Sequence, residues 1–355
     1  MDSSEVLRCL VDVSSSGSIR LTGESRRVLG HFRKCRTAAN GCRILKCDPC
    51  NLTMVVYNPC NKRGCPKCAK KLQMVWLEKV KNRILATGHS HLVFSLPGVY
   101  ARDWMTNPRK LIRKFFKAVA AIMKDLEKST GLQLGWILVF QSHGRGMSFK
   151  PHIHCLLTGG GLDANDQWHP LGDLPLEQMA QSLEQHITEG GDGHGQSQGW
   201  SVYQTRHENS GEAIVGYLAK TMAGLVVSES EMERKDELVV FEDRHEGVVR
   251  RTKLRETTFV ERYLRHIPPA KTVMVRYFGL YSNRHRDKLK IAREFLGHSK
   301  DLHPSLDKVL FIEPCPCCHG PMHAILATHS GYKVRYENYG FIHGPPAHRE
   351  YRKVS

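Results

Sequence analysis

Six of the twelve cysteines, Cys42, Cys47, Cys50, Cys60, Cys65 and Cys68, fall in one short segment, and that crowding limits what the segment can fold around. Cys47-x2-Cys50 and Cys65-x2-Cys68 form two knuckles separated by 14 residues. Thiolates at such spacing suit zinc in a closed tetrahedral site. The spacing predicts a structural Zn2+ on Cys47, Cys50, Cys65 and Cys68, with Cys60 as an alternative ligand and Cys42 as a second spare. Cys315, Cys317 and Cys318 make another cluster. Cys315 and Cys318 would supply half of a second zinc site, completed by His319, His323 or His329. The opening MDSSEVLRCL lacks the basic-then-apolar pattern of a secretory signal, so the thiols read as metal ligands or core residues of a cytoplasmic protein.

The formal charge of +17 points to a polyanionic partner, because neutralising phosphates releases counterions. Basic residues are spread along the chain, which favours nucleic acid over a membrane surface. No apolar run reaches the ~18 residues of a membrane span. With 355 residues and 41% hydrophobic content, several packed domains are expected. The expected division is an unassigned segment at 1–41, a zinc module at 42–72, a catalytic domain at 73–225, a DNA-binding extension at 226–300, and a Cys/His-rich tail at 301–355.

Helical spacing marks the segments after Cys68, at 107–128, around Tyr217, at TTFVERYLRHI and at 286–297. Strands are expected at HSHLVFSLPG, LGWILVFQSHG and KPHIHCLLTGGG, and a polar Gly-rich loop at about 187–200. In the third strand, His152 and His154 are two apart and point to one face. Apolar neighbours surround them, and two imidazoles on such a face suit a shared divalent ion. The alternative is a pair of structural histidines at a sheet edge. Gly159, Gly160 and Gly161 follow, where a chain or ligand can approach closely. Gln141, ending the preceding strand, is the candidate third ligand, with His143 its competitor.

Tyr217 lies beside an apolar helical stripe of Ile214, Val215, Leu218 and Met222, with Lys220 three residues further on. A tyrosine of ordinary pKa ~10 needs a cation to act as a nucleophile. Lys220 and the ion at the histidines would serve. The alternative is a half-buried core aromatic, since periodicity does not single out one tyrosine among 11.

The combination resembles the rolling-circle transposases of the insertion-sequence-ninety-one group, which carry a histidine–hydrophobic–histidine (HUH) motif. Tyr57 to Cys68 is similar to their zinc module, and Ser148 to Leu162 to the histidine motif. Tyr217-Leu218-Ala219-Lys220 is similar to the tyrosine motif, and Arg276 to Arg284 to the segment closing the catalytic region. Many relatives carry a second tyrosine four residues on; here that position is Thr221, as in the single-tyrosine branch.

The resemblance implies an α+β fold: an antiparallel-sheet HUH endonuclease domain with helices, a small N-terminal zinc-binding domain and a small C-terminal region. It implies Mg2+ or Mn2+ on His152, His154 and Gln141. It also implies cleavage of single-stranded DNA at mobile-element ends by Tyr217 through a 5′-phosphotyrosine, and strand transfer by a possible homodimer. Lys62, Arg63, Lys67, Arg276, Tyr277, Asn283, Arg284 and Arg286 are candidate DNA contacts, since cations follow a backbone and aromatics stack on unpaired bases; solvated surface charge and core aromatics are the alternative. A replication initiator or relaxase with the same chemistry, and a non-enzymatic zinc-ribbon regulator, are the rival functions.

Overall fold

A computed structural model describes residues 1–189, 198–208, 211–222, 232–245, 248–297, 314–329, 332–335 and 352–353. The chain divides into two compact units: Asp2–Cys68 with Ser305–Ser355, and Ala69–Pro304 with Met1. Most of the expected Gly-rich loop, residues 190–197, lies outside the described residues. The architecture is α+β with antiparallel sheets, as expected.

The first unit begins with two helices, although apolar periodicity in this stretch is weak. α1 (Ser3–Ser15) starts at a capping box, in which Asp2 accepts from the Glu5 amide and Glu5 accepts from the Asp2 amide. α2 (Gly23–Lys34) starts at Thr22, whose hydroxyl accepts from the Ser25 amide. β1 (Cys42–Cys47) and β2 (Leu52–Tyr57) then form a hairpin. The far end of the chain joins it: β12 (His323–His329) pairs with β1, and β13 (Tyr332–Arg335) and β14 (Arg352–Lys353) extend the sheet.

In the second unit α3 (Pro66–Lys81) leads into a sheet of order β11-β4-β5-β3-β7. Its strands are β3 (His89–Ser95), β4 (Gln133–His143), β5 (Phe149–Leu162), β7 (Ser201–Glu208) and β11 (Val275–Gly279). A short β6 (Trp168–Pro170) pairs with the end of β5. Both faces are covered, which explains why these strands read as nearly continuous apolar runs. On one face Phe94, Leu138, Phe140, Ile153 and Leu157 pack against α5 (Pro108–Thr130) and α6 (Leu176–Thr188). On the other, Ile137, Val139 and Leu156 pack against α3, α7 (Glu212–Met222) and α9 (Arg286–Phe295). β8 (Met232–Lys235), β9 (Leu238–His245) and β10 (Val248–Arg255) form a separate three-stranded sheet followed by α8 (Glu256–His266).

The glycine run after the histidine motif serves chain packing. A Cβ at Gly160 would lie 2.5 Å from the His169 carbonyl oxygen, and one at Gly161 would lie 2.6 Å from that of Gln133. Gly161→Ala must therefore move backbone, and is expected to cost about 1–3 kcal/mol. Urea unfolding of the variant checks this; an unchanged midpoint would mean the strands part without cost.

Candidate active site and metal centres

Strand register builds the site. Gln141 of β4 pairs with His152 of β5, and Ser95 of β3 pairs with His152 from the other side. Directly opposed residues share a face, so Gln141, His152, His154 and, two positions from Val93, His91 all project toward the α7 side. The His152 and His154 ring centroids are 4.7 Å apart. His154 Nε2 is 3.0 Å from Gln141 Oε1. The Gln141 amide nitrogen lies 3.1 Å from His143 Nε2, which turns the amide oxygen toward His154. His143 thus holds Gln141, and Gln141 is the group that reaches His154.

Hydrogen bonding selects the ring atoms available to a ligand. His152 Nδ1 donates to the Lys150 carbonyl at 2.7 Å, so its Nε2 is an acceptor in the neutral ring. Burial pushes the His152 pKa down to about 4, and burial with neighbouring imidazoles holds His154 and His143 well below the usual range. Neutral imidazole is the form that binds metal. His154 Nε2 and Gln141 Oε1, 3.0 Å apart, match two adjacent ligands of one ion, since ligands about 2.1 Å from an octahedral Mg2+ lie about 3.0 Å apart. Ser95 carries a buried hydroxyl with no hydrogen-bond partner, at the strand position facing His152. These observations fit a small oxygen- and nitrogen-coordinated divalent ion.

His91, outside the His152/His154 motif, also joins the cluster. Its Nε2 is 2.9 Å from His154 Nδ1, and its Nδ1 is 2.5 Å from Thr205 Oγ1. The β3–β7 register passes from His91↔Arg206 to Leu92↔Gln204, so Thr205 sits at a bulge that aims its side chain at His91. Tyr217 completes the arrangement. Its ring centroid is 5.4 Å from that of His91 and 5.8 Å from that of His154. The residue is 42% exposed, while its helix neighbours Ile214, Val215, Leu218 and Ala219 are buried. Lys220 lies in α7, with its side chain outside the described residues. Tyr281 also faces a histidine, but it is fully buried; its hydroxyl donates to His89 Nε2 at 2.6 Å and accepts from the Leu85 amide at 3.1 Å.

The cysteines group differently from the expected set. Cys35, Cys60, Cys65 and Cys68 come together, as do Cys47, Cys50, Cys315 and Cys318, with the thiols in each group within 4.8 Å of one another. Hairpin geometry forces the change. Cys47 pairs with Leu52 at the turn end, whereas Cys42 pairs with Tyr57 at the open end, five residues or about 17 Å away. The chain leaves β2 at that open end, so Cys60, Cys65 and Cys68 meet Cys35 beyond α2. Cys60 is a full member of its group, Cys42 belongs to neither, and Cys317 stands outside the second.

Two family models match the chain: "Transposase zinc-binding domain" over residues 10–96, and "Putative transposase" over residues 135–176 and 176–288. The chain is 24% identical to the "Putative transposase y4qJ" of Sinorhizobium fredii (strain NBRC 101917 / NGR234), over 92% of each chain. It is 26% identical to the "Transposase for insertion sequence element IS801" of Pseudomonas savastanoi pv. phaseolicola, over 70% of this chain and 68% of that one. The chain belongs to the insertion-sequence-ninety-one family of transposases. No solved structure matches it significantly.

The transposase has DNA as its partner, and the zinc-binding match together with the two cysteine groups supports structural Zn2+. Among the described residues no helix is long and apolar enough to cross a membrane. The candidate DNA contacts are dispersed. Lys62, Arg284 and Arg286 are exposed, and Arg63 and Lys67 are half-buried. The Arg276 guanidinium lies 4.4 Å from the centroid of the Phe116 ring. Tyr277 accepts from Trp76 Nε1 at 3.0 Å and has Arg83 over its ring, and Asn283 accepts from Arg83 at 2.9 Å. In this arrangement Tyr277 ties α3 to β11, and Asn283 holds Arg83 just beyond the end of α3.

Proposed function

We propose that this transposase cleaves single-stranded DNA with Tyr217 and rejoins the strand elsewhere, as in rolling-circle transposition. The observation carrying the proposal is the exposed Tyr217 ring packed 5.8 Å, centroid to centroid, from His154. In the cleavage step the Tyr217 oxygen attacks phosphorus and the bond from phosphorus to the 3′ oxygen breaks. The phenol proton is lost and the leaving oxygen gains one, giving a 5′-phosphotyrosine and a 3′-hydroxyl. A 3′-hydroxyl on another strand reverses the step and completes transfer without nucleotide hydrolysis. A divalent ion held by His152, His154 and Gln141 would polarise the scissile phosphate. Lys220 is proposed to favour the phenolate from its place on the same helix.

His91 acts as a positioning residue. If His154 presents Nε2 to an ion, its Nδ1–H donates to His91 Nε2, and His91 Nδ1–H donates to Thr205. Such outer partners fix ring orientation and tautomer, and their loss typically costs about 10–100-fold in metal affinity or activity. His91→Ala is expected to slow adduct formation by that factor and to raise the Mn2+ concentration needed, with oligonucleotide binding retained. An unchanged metal requirement would reduce His91 to a packing role.

Incubation with a single-stranded oligonucleotide bearing an element end and Mn2+, followed by a denaturing gel and peptide mapping, tests the whole reading. A DNA-linked peptide containing Tyr217 is expected. Cleavage with no covalent species, or a linkage mapped to another residue, would overturn it.

A further inference from the structure

We propose that Cys47, Cys50, Cys315 and Cys318 form a second zinc site, a clasp built from both ends of the chain. Cys315 and Cys318 lie beyond both segments matched by the family models, which end at residues 96 and 288. The group is therefore not contained in the matched zinc-binding segment, whereas Cys35, Cys60, Cys65 and Cys68 are.

Strand pairing explains how residues so distant in sequence meet. Lys46 at the end of β1 pairs with His323 at the start of β12, and Leu45 pairs with Ala324. This register sets Cys47 beside the segment that carries Cys315-Pro-Cys-Cys318. That segment is a tight knuckle: the Cys315 amide donates to the Gly320 carbonyl at 2.9 Å, and the His319 amide donates to the Cys315 carbonyl at 2.8 Å. His319 has φ 56°, so the chain reverses in the left-handed region there. On the other side, Cys47 and Cys50 flank the start of the β1–β2 turn, and Asn51 takes φ 49°. Two Cys-x2-Cys turns thus face each other across one strand pair.

The thiol geometry fits zinc. Cys47 Sγ lies 3.6 Å from Cys318 Sγ. Four thiolates about 2.3 Å from a tetrahedral Zn2+ lie about 3.8 Å apart. Cys47 and Cys315 are buried, while Cys50 and Cys318 are exposed, so the site is seated on the core and closed from solvent by two ligands. The core beneath is small: Leu45, Cys47, Cys315 and Met322, with Leu52, Met54, Val56 and Ala324 against it. A module with so little apolar packing needs a staple, and a bound ion adds its binding energy to folding. Cys50 and Cys315 are separated by 264 residues, so the clasp completes the terminal unit only when both ends of the chain are present.

The test is zinc content and thiol protection in the full-length protein. Elemental analysis is expected to give two zinc ions per chain, one for each cysteine group. Cys315→Ser with Cys318→Ser, and Cys47→Ser with Cys50→Ser, should each lower the content to one, and all four substitutions together should also leave one. Cys317→Ser should leave two. Native protein supplies a measurement that needs no variant. Under alkylation, Cys317 should react at once, and Cys47, Cys50, Cys315 and Cys318 should become reactive together on chelation. Two zinc ions retained without Cys315 and Cys318, or those two thiols reacting as fast as Cys317 in the zinc-loaded protein, would overturn the proposal. The outcome is independent of strand cleavage by Tyr217.

Discussion

Tyr217→Phe is expected to abolish the covalent DNA adduct while leaving oligonucleotide affinity unchanged. The substitution keeps the ring that packs against His91 and His154 and removes only the oxygen. Ile214, Val215, Leu218 and Ala219 on α7 are buried and unaltered by the substitution, so the fold should stand. Loss of a nucleophile in comparable covalent catalysts costs on the order of 10⁶ in rate, which places any residual adduct below detection. Tyr281→Phe is the informative control. Its hydroxyl bridges His89 and the Leu85 amide inside the core, so its removal should cost about 1–3 kcal/mol of stability and leave the adduct. Adduct formation by the Tyr217 variant, measured on a denaturing gel, would reassign the nucleophile.

The parts of the site legible in the sequence are those set by local geometry. His152 and His154 share a strand face by alternation, and Gln141 stands at the end of the neighbouring strand, so their meeting needs only that β4 and β5 pair. His91 was equally visible in principle, because His89-Ser90-His91 repeats the His-x-His spacing on a strand. What local pattern does not show is which of those histidines reaches His154 and which meets Tyr281; that follows from the positions of β3 and of the turn after β11. Thr205 could not have been found, because its aim depends on a bulge that no residue type marks.

The cysteines show the opposite failure. Two Cys-x2-Cys knuckles invited pairing by sequence distance, and spacing treats the residues between them as a flexible loop. Those residues instead include the stiff strand β2, which carries the chain from the turn at Cys50 to the open end of the hairpin. Cys35 was hidden behind α2, in a stretch whose helices are defined as much by caps at Asp2 and Thr22 as by apolar period. The central sheet was more transparent, since strands buried on both faces leave long apolar runs bounded by glycine and proline.

His152→Ala and His154→Ala are each expected to reduce strand cleavage by about 10³-fold or more, because an ion polarising a phosphate is worth several kcal/mol. Noncovalent binding should persist, as basic residues elsewhere neutralise the phosphates. The two variants should differ in one respect. His152 donates to a local carbonyl, so its loss removes one ligand and little else. His154 stands between Gln141 and His91, so its loss also frees Gln141 to turn and breaks the link to Thr205. Raising Mn2+ should therefore rescue His152→Ala in part and His154→Ala hardly at all. Full cleavage activity in either variant at ordinary Mn2+ would remove the histidine pair from the reaction and leave Tyr217 without the cation its chemistry requires.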